Sequence, residues 1–327
     1  MPAAPLAHGP AHTRIFMFAV VTALAHIVFA MHKPLSYRVC LVAPPGYPHA
    51  RAFMETAFLL KASLASLGFS CDIAINQISS DSLNIVLGAH LLKDADVLAS
   101  GRCAVYQLEQ LGARRGPVSE RYLSLLQRAA AVWDYSCENI AYLSSKGIRA
   151  LHLPLGYHPH LEQIPRGGSG DCDVDVLFYG SMCPRRKEVL DSLAAPGDLR
   201  IRSLFGVYGK ERDELIGRSR IVLNIHYYDT RIFEAVRISY LLNNRCFVVS
   251  EDSSIYPYDG VELVVAPRKR LADLCRRYLA SPPEIGALAE KTYRQFKTRY
   301  PMTSALKSVL DSMGDAGSSG GAGSRPS

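Results

Sequence analysis

The chain has 327 residues, 37 Lys and Arg against 30 Asp and Glu, 48% hydrophobic and 20% charged residues. That length and balance fit about two globular domains, each with its own core, and exclude a disordered, collagenous or coiled-coil chain. The net charge of +7 suggests a polyanion partner, but residues 1–165 hold 13 basic and 10 acidic side chains and residues 166–327 hold 24 and 20, so neither half is a basic domain. Of the 37 basic residues 27 are Arg, which suits bidentate recognition of phosphate or carboxylate more than a field tracking a nucleic acid; no nucleic-acid partner is expected.

Residues 1–35 read as a hydrophobic leader or anchor. The uncharged run from Ile15 to Met31 would span about 25 Å as a helix, short of a roughly 30 Å hydrocarbon core. Three readings compete: a membrane anchor, a cleaved signal, or a dispensable extension with Met31 opening the folded part. From Tyr37, short apolar runs alternate with amphipathic ones. YRVCLVA (37–43) ends at Pro44-Pro45-Gly46, a helical pattern runs from about 50 to 67, and CDIAI, NIVLG, CAVYQLE, AVWDYS and RALHLPLG read as further strands. Such alternation predicts a parallel α/β domain over 36–163. PRGGSGD (165–171) concentrates Pro, Gly and Ser, as an interdomain linker over 164–172 should.

The pattern restarts over 173–313 with strands in VDVLFYG, IRSLFGVYG, RIVLNIHYY, RCFVVSE and VELVVA, and helices at about 184–195, 210–218 and 231–243. The tail at 314–327 is Gly- and Ser-rich and is expected to be disordered. Two Rossmann-like halves place a ligand in the cleft between them. The eight cysteines form no C-x-x-C pair, which argues against a disulfide framework or a zinc site and for a reducing compartment. His158-Pro159-His160 is the nearest approach to a metal pair and lacks further ligands nearby. No G-x-G-x-x-G follows the first strand, and neither G-x-x-x-x-G-K-[ST] nor G-x-S-x-G occurs. A dinucleotide oxidoreductase, a P-loop enzyme and an α/β-hydrolase are therefore disfavoured.

Three strand-end loops of the second half carry Gly or cations. Gly180 to Lys187 combines a Gly turn, Pro184 as a helix start, and Arg185, Arg186 and Lys187 behind it. Gly206 to Asp213 places Tyr208, Gly209 and Arg212 at the next loop. In Arg220 to Glu251 a strand delivers Asn224, His226, Tyr227 and Tyr228, and a predicted helix opens with Arg231, Phe233 and Glu234 and carries Arg237 one turn on. Helix-start N–H groups and two Arg flanking a Glu suit a diphosphate and a sugar hydroxyl. Taken alone, Glu234 and Arg237 could equally be an i, i+3 surface pair. On the first half, His90, Glu109 and Asp134 stand at strand ends as candidate bases. Each also has a structural reading, respectively as a buried imidazole, a strand-edge charge and an N-cap.

The stretch LNIHYY…FE..RISYLL.N…VVSE resembles the donor-binding domain of GT-B glycosyltransferases of the glycosyltransferase 1/4-like clan, in particular a bacterial subgroup. The resemblance is good over 174–300. NIVLGAHLL, VYQLEQL, VWDYSCENI and LPLGY extend it more weakly to the partner domain. It implies two Rossmann-like parallel-sheet domains facing across a cleft, with a C-terminal helix crossing back. The implied activity is metal-independent transfer of a sugar from a nucleotide-sugar co-substrate, without a cofactor, to a glycan, lipid or protein acceptor in cytoplasmic glycan biosynthesis, at the inner membrane face if 15–31 is an anchor. By the resemblance, Glu234 holds donor hydroxyls, and Arg185, Lys187 and Arg212 meet the diphosphate. The commoner family pattern has two glutamates eight positions apart and then a Gly. Here His226 and Leu242 stand eight residues either side of Glu234, and Asn243-Asn244 replaces the Gly. The alternative is a catalytically idle GT-B relative that binds a nucleotide, glycan or protein.

Overall fold

The computed structural model describes residues 36–93, 98, 102–112, 118–165 and 172–318. The leader and most of the expected linker lie outside these. Among the described residues no helix is long and apolar enough to cross a membrane.

Two wholly parallel sheets are formed. The first has β1 (Ser36–Leu41), β2 (Ser70–Ile75), β3 (Leu83–Leu87), β4 (Cys103–Gln107), β5 (Ala131–Asp134) and β6 (Leu151–His152), in the order β2-β1-β3-β4-β5-β6. The second has β7 (Val174–Tyr179), β8 (Ile201–Leu204), β9 (Ser219–Asn224), β10 (Val248–Glu251) and β11 (Val264–Ala266), in the order β11-β10-β9-β7-β8. Every residue of β3 and β4 is buried, as expected where helices cover both faces of a parallel sheet and strands need not alternate. In each sheet the strand order reverses beside the first strand, between β1 and β3 and between β7 and β9. Such switch points open a crevice at the carboxyl ends of the strands.

The helices are α1 (Met54–Ser66), α2 (Glu120–Arg128), α3 (Cys137–Ser145), α4 (Pro184–Ala194), α5 (Lys210–Gly217), α6 (Ala235–Asn243), α7 (Leu271–Leu279), α8 (Pro282–Arg299) and α9 (Met302–Ser318). Two corrections to the sequence reading matter. The helix expected from 231 starts at Ala235, because Arg231 adopts φ +50° and Phe233 and Ile232 are buried in the core ahead of it. Of the tail expected to be disordered over 314–327, the first five residues are helical, through Ser318, and 319–327 lie outside the described residues. There α9 is anchored by buried Met302, Leu306, Val309, Leu310 and Met313, and once nucleated a helix extends at one hydrogen bond per residue.

That last helix crosses back and packs on α1 of the first domain. The two chain crossings lie side by side: Tyr157 N–H donates to Tyr300 O at 2.7 Å and Met302 N–H donates to Tyr157 O at 2.8 Å. Gly156 permits this approach, since a Cβ there would stand 2.4 Å from Tyr300 O. Asn243 and Asn244, where the family pattern has Gly, fasten the same segment. Asn244 Oδ1 accepts from Gln163 N–H at 2.7 Å and Ile164 N–H at 2.9 Å, and Asn243 Oδ1 accepts from His158 N–H at 3.0 Å. His158 thus belongs to the interdomain segment, with Nε2 3.1 Å from Ser66 Oγ. Among the described residues no group of three or more His, Cys, Asp or Glu is placed to hold a metal ion.

Candidate functional site

The carboxyl ends of the two sheets face each other around a cavity of about 430 Å³, within the usual range for a small-molecule site. The first domain contributes Tyr47, His49 and Phe53 from the loop after β1, Glu55 at the start of α1, Leu108, Glu109 and Gln110 after β4, and Tyr135 after β5. The second contributes Gly180, Ser181 and Arg186 after β7, Phe205 to Tyr208 after β8, Tyr227 and Tyr228 after β9, and Glu234, Arg237 and Tyr240 around the start of α6.

At the β7/β9 switch point Glu234 lies between two guanidiniums. Its Oε1 is 3.0 Å from Arg186 Nη2 and its Oε2 is 2.8 Å from Arg237 Nη1. Burial works to raise the Glu234 pKa, but Arg237, Arg186 and His226 outweigh it and hold the carboxylate below its ordinary value. Arg186 is anchored by Nε donating to Ile225 O at 2.8 Å and Nη1 donating to Ser181 O at 2.8 Å. Arg237 Nη1 also donates to Asn224 Oδ1 at 2.7 Å, while its buried Nε has no hydrogen-bond partner among the described residues. Gly180, at φ +135°, leaves room for both heads: a Cβ would stand 2.7 Å from Arg237 Nη2 and 3.2 Å from Arg186 Nη1.

The same loops bridge the two domains. Arg212 Nη2 pairs with Glu55 Oε1 and with Asp213 Oδ1, at 2.8 and 2.7 Å. His49 Nδ1 lies 2.6 Å from Tyr208 Oη, and Thr230 Oγ1 donates to Gln110 Oε1 at 2.9 Å.

On the opposite wall Glu109 keeps a quarter of its side chain exposed, with His90 Nε2 3.7 Å from Oε1. Burial pushes the Glu109 carboxyl up to about 7 and the His90 imidazole down to about 4. A neutral His90 is no ion-pair partner near neutral pH, so among the described residues Glu109 is a carboxylate without a paired cation, poised to exchange a proton.

Several expected site residues lie elsewhere. Lys187 is two-thirds exposed and pairs with Asp191 at 2.6 Å. Arg185 turns outside the cavity to the buried Glu251. Arg231 pairs with Asp252 at 3.4 Å, away from the cavity. Asn224 and His226 are buried behind Arg237 and Glu234, and Gly209 lines a neighbouring interdomain pocket. His90 backs Glu109 without lining the cavity, and Asp134 is fully buried beneath the 108–111 loop. The sequence reading named Arg186 only as one of three cations and gave the diphosphate to its neighbours, but its burial alongside Val189, Leu190 and Leu193 at i, i+3, i+4 and i+7 puts it on the inward face of α4. That phase was the available signal. Tyr47, His49 and Glu55 had no such signal, since their role depends on the other domain.

No protein-family model matches the chain. Among curated proteins it is 32% identical over 209 residues to the uncharacterized protein R358 of Acanthamoeba polyphaga mimivirus, covering 62% of this chain and 71% of R358. The chain belongs to the family of R358. The uncharacterized protein L140 of the same virus is 32% identical over 129 residues, 37% of this chain and 40% of L140. L137 is 31% identical over 140 residues, 42% of this chain and 19% of L137. The matched stretches thus span well under half of L140 and L137. Of the solved structures, T4 phage β-glucosyltransferase superposes with a TM-score of 0.54 at 12% identity, covering 84% of this chain and 99% of that one. A glycosyltransferase from Rickettsia africae gives 0.52 at 9% identity, covering 86% and 98%. The fold is therefore GT-B, as the resemblance implied. These curated relatives are viral, and the bacterial subgroup finds no support.

Proposed function

We propose that the protein is a glycosyltransferase that moves a sugar from a nucleotide-sugar donor to an acceptor hydroxyl. The observation that carries this reading is the division of labour across one cavity: a guanidinium pair at the β7/β9 switch point on one wall, and Glu109, without a paired cation among the described residues, on the other. The GT-B likeness supports it. Arg186 and Arg237 would receive the two phosphates of the donor, and Glu234, already held between them, would turn to a donor hydroxyl. As the bond from the anomeric carbon to the leaving diphosphate breaks, the two guanidiniums meet the growing negative charge. As the acceptor oxygen forms its bond to that carbon, Glu109 takes the hydroxyl proton, a task suited to a carboxyl whose pKa stands near 7.

The commitment of Glu234 to two arginines, with His226 in place of the expected first glutamate, favours one other reading: a binding protein without turnover. A panel of UDP-, GDP-, ADP-, CMP- and dTDP-sugars separates the two. Transfer or slow hydrolysis of one donor, abolished in Glu109→Gln with donor affinity intact, is expected. Nucleotide binding without turnover under any acceptor condition would leave the binder.

A further inference from the structure

Asp134 touches nothing in the cavity, yet three donors converge on it. Gln107 Nε2 donates to its carboxylate at 2.9 Å, Asn139 Nδ2 at 3.1 Å and the Ser136 N–H at 2.8 Å. Both amides then turn their remaining groups onto one short loop. Gln107 Oε1 accepts the Glu109 N–H at 2.8 Å while its Nε2 also donates to Glu109 O at 2.7 Å. Asn139 Nδ2 donates to Glu109 O at 2.8 Å and its Oδ1 accepts the Leu111 N–H at 2.9 Å. Gln107, Asp134 and Asn139 are each at or below 1% exposure.

Each amide hydrogen in this network has an acceptor and each amide oxygen a donor. Glu109 lies past the end of β4, where backbone pairing has stopped, and its N–H and C=O both find side chains instead. Asp134 fixes the sense of the arrangement. In its ionised form the carboxylate only accepts, so the NH2 ends of Gln107 and Asn139 face it, which leaves their oxygens for the loop N–H groups.

We propose that Gln107, Asp134 and Asn139 are a buried clamp that holds Glu109 at its place on the acceptor wall, acting as positioning residues that never meet the substrate. The proposal rests on the reading of Glu109 as the base. It explains why the carboxylate read from the sequence as a second catalytic candidate stands behind the first.

Two substitutions test it. Asp134→Asn keeps the shape but presents an NH2 group to a ring of donors. Gln107→Met keeps the chain length and removes both hydrogen-bonding ends, leaving Asp134 its other two donors. Hydrogen exchange reads the clamp without any reaction. The amides of Glu109 and Leu111 should exchange on the order of tenfold faster in the variants, with the β3 and β4 amides unchanged. In transfer assays kcat should fall roughly 100-fold, with the donor Kd and the KM for donor unmoved, as for a displaced base. Unchanged exchange and unchanged kcat in folded Gln107→Met, beside an inactive Glu109→Gln, would overturn the clamp and leave the proposed function standing. Full activity in Glu109→Gln would instead remove the base assignment on which the clamp depends. If Asp134→Asn does not fold, Gln107→Met alone decides.

Discussion

Replacing Glu109 by Gln should make the protein more stable and inactive at once. The carboxyl rises from an ordinary 4.5 to about 7 through burial. At 1.36 kcal/mol per unit this amounts to roughly 3 kcal/mol of strain on the charged form. A raised pKa means that folding favours the protonated group. Below pH 4.5 both states are protonated and nothing is lost. Between 4.5 and about 7 the unfolded chain gives up the proton while the folded one keeps it, and above 7 the full cost is present. The described groups around Glu109 do not offset this: Tyr47, Tyr122, Tyr135 and Tyr228 are neutral there, and His90 is held neutral by burial. Asp134, itself pushed up to about 7, titrates in both proteins and drops out of the difference. Urea unfolding at pH 4 and pH 8 measures it directly. Glu109→Gln should match wild type at pH 4 and exceed it by about 3 kcal/mol at pH 8. An equal gain at both pH values, or none at pH 8, would refute the burial of a titrating carboxylate at this site.

Other substitutions probe the remaining structure. Gly180→Ala places a Cβ 2.7 Å from Arg237 Nη2 at a backbone angle L residues rarely adopt, so nucleotide affinity should drop at least about tenfold in calorimetry, with a cost of order 1–3 kcal/mol in stability. Gly156→Ala drives a Cβ to within 2.4 Å of Tyr300 O and should loosen the two chain crossings. Limited proteolysis near Tyr300 should accelerate, and stability should fall by about 1–3 kcal/mol. Asn244→Ala strands the N–H of Ile164, while the Gln163 N–H and the Leu161 carbonyl keep each other at 2.9 Å. A loss of roughly 1–3 kcal/mol is expected in denaturant unfolding, whereas a surface Asn would give almost none.

The two parallel sheets were legible because strand and helix periods alternate along the chain, and the β7/β9 loops were legible because Gly180 and the basic run behind it break an apolar strand. What the sequence hid was phase. Arg185, Arg186 and Lys187 look alike as a run, but one turn of α4 sends Arg186 inward to Glu234, Arg185 to Glu251 and Lys187 to solvent. Arg231 reads as part of a helix because nothing local announces its left-handed backbone. Asn243 and Asn244 read as a departure from a glycine pattern, and only the fold shows them fastening residues some 80 positions away. The cross-domain contacts of His49 and Glu55 have no local signature, since each partner belongs to the other domain.

The central claim is that the guanidinium pair beside Gly180 receives a nucleotide diphosphate. Titration calorimetry of wild type, Arg186→Gln and Arg237→Gln against UDP, GDP, ADP and dTDP tests it most directly. Charge-assisted bonds of about 1.5–3 kcal/mol each should give one nucleotide a micromolar Kd that weakens by roughly 100-fold in either variant. Absence of binding by every nucleotide, or binding that survives both substitutions unchanged, would contradict the account.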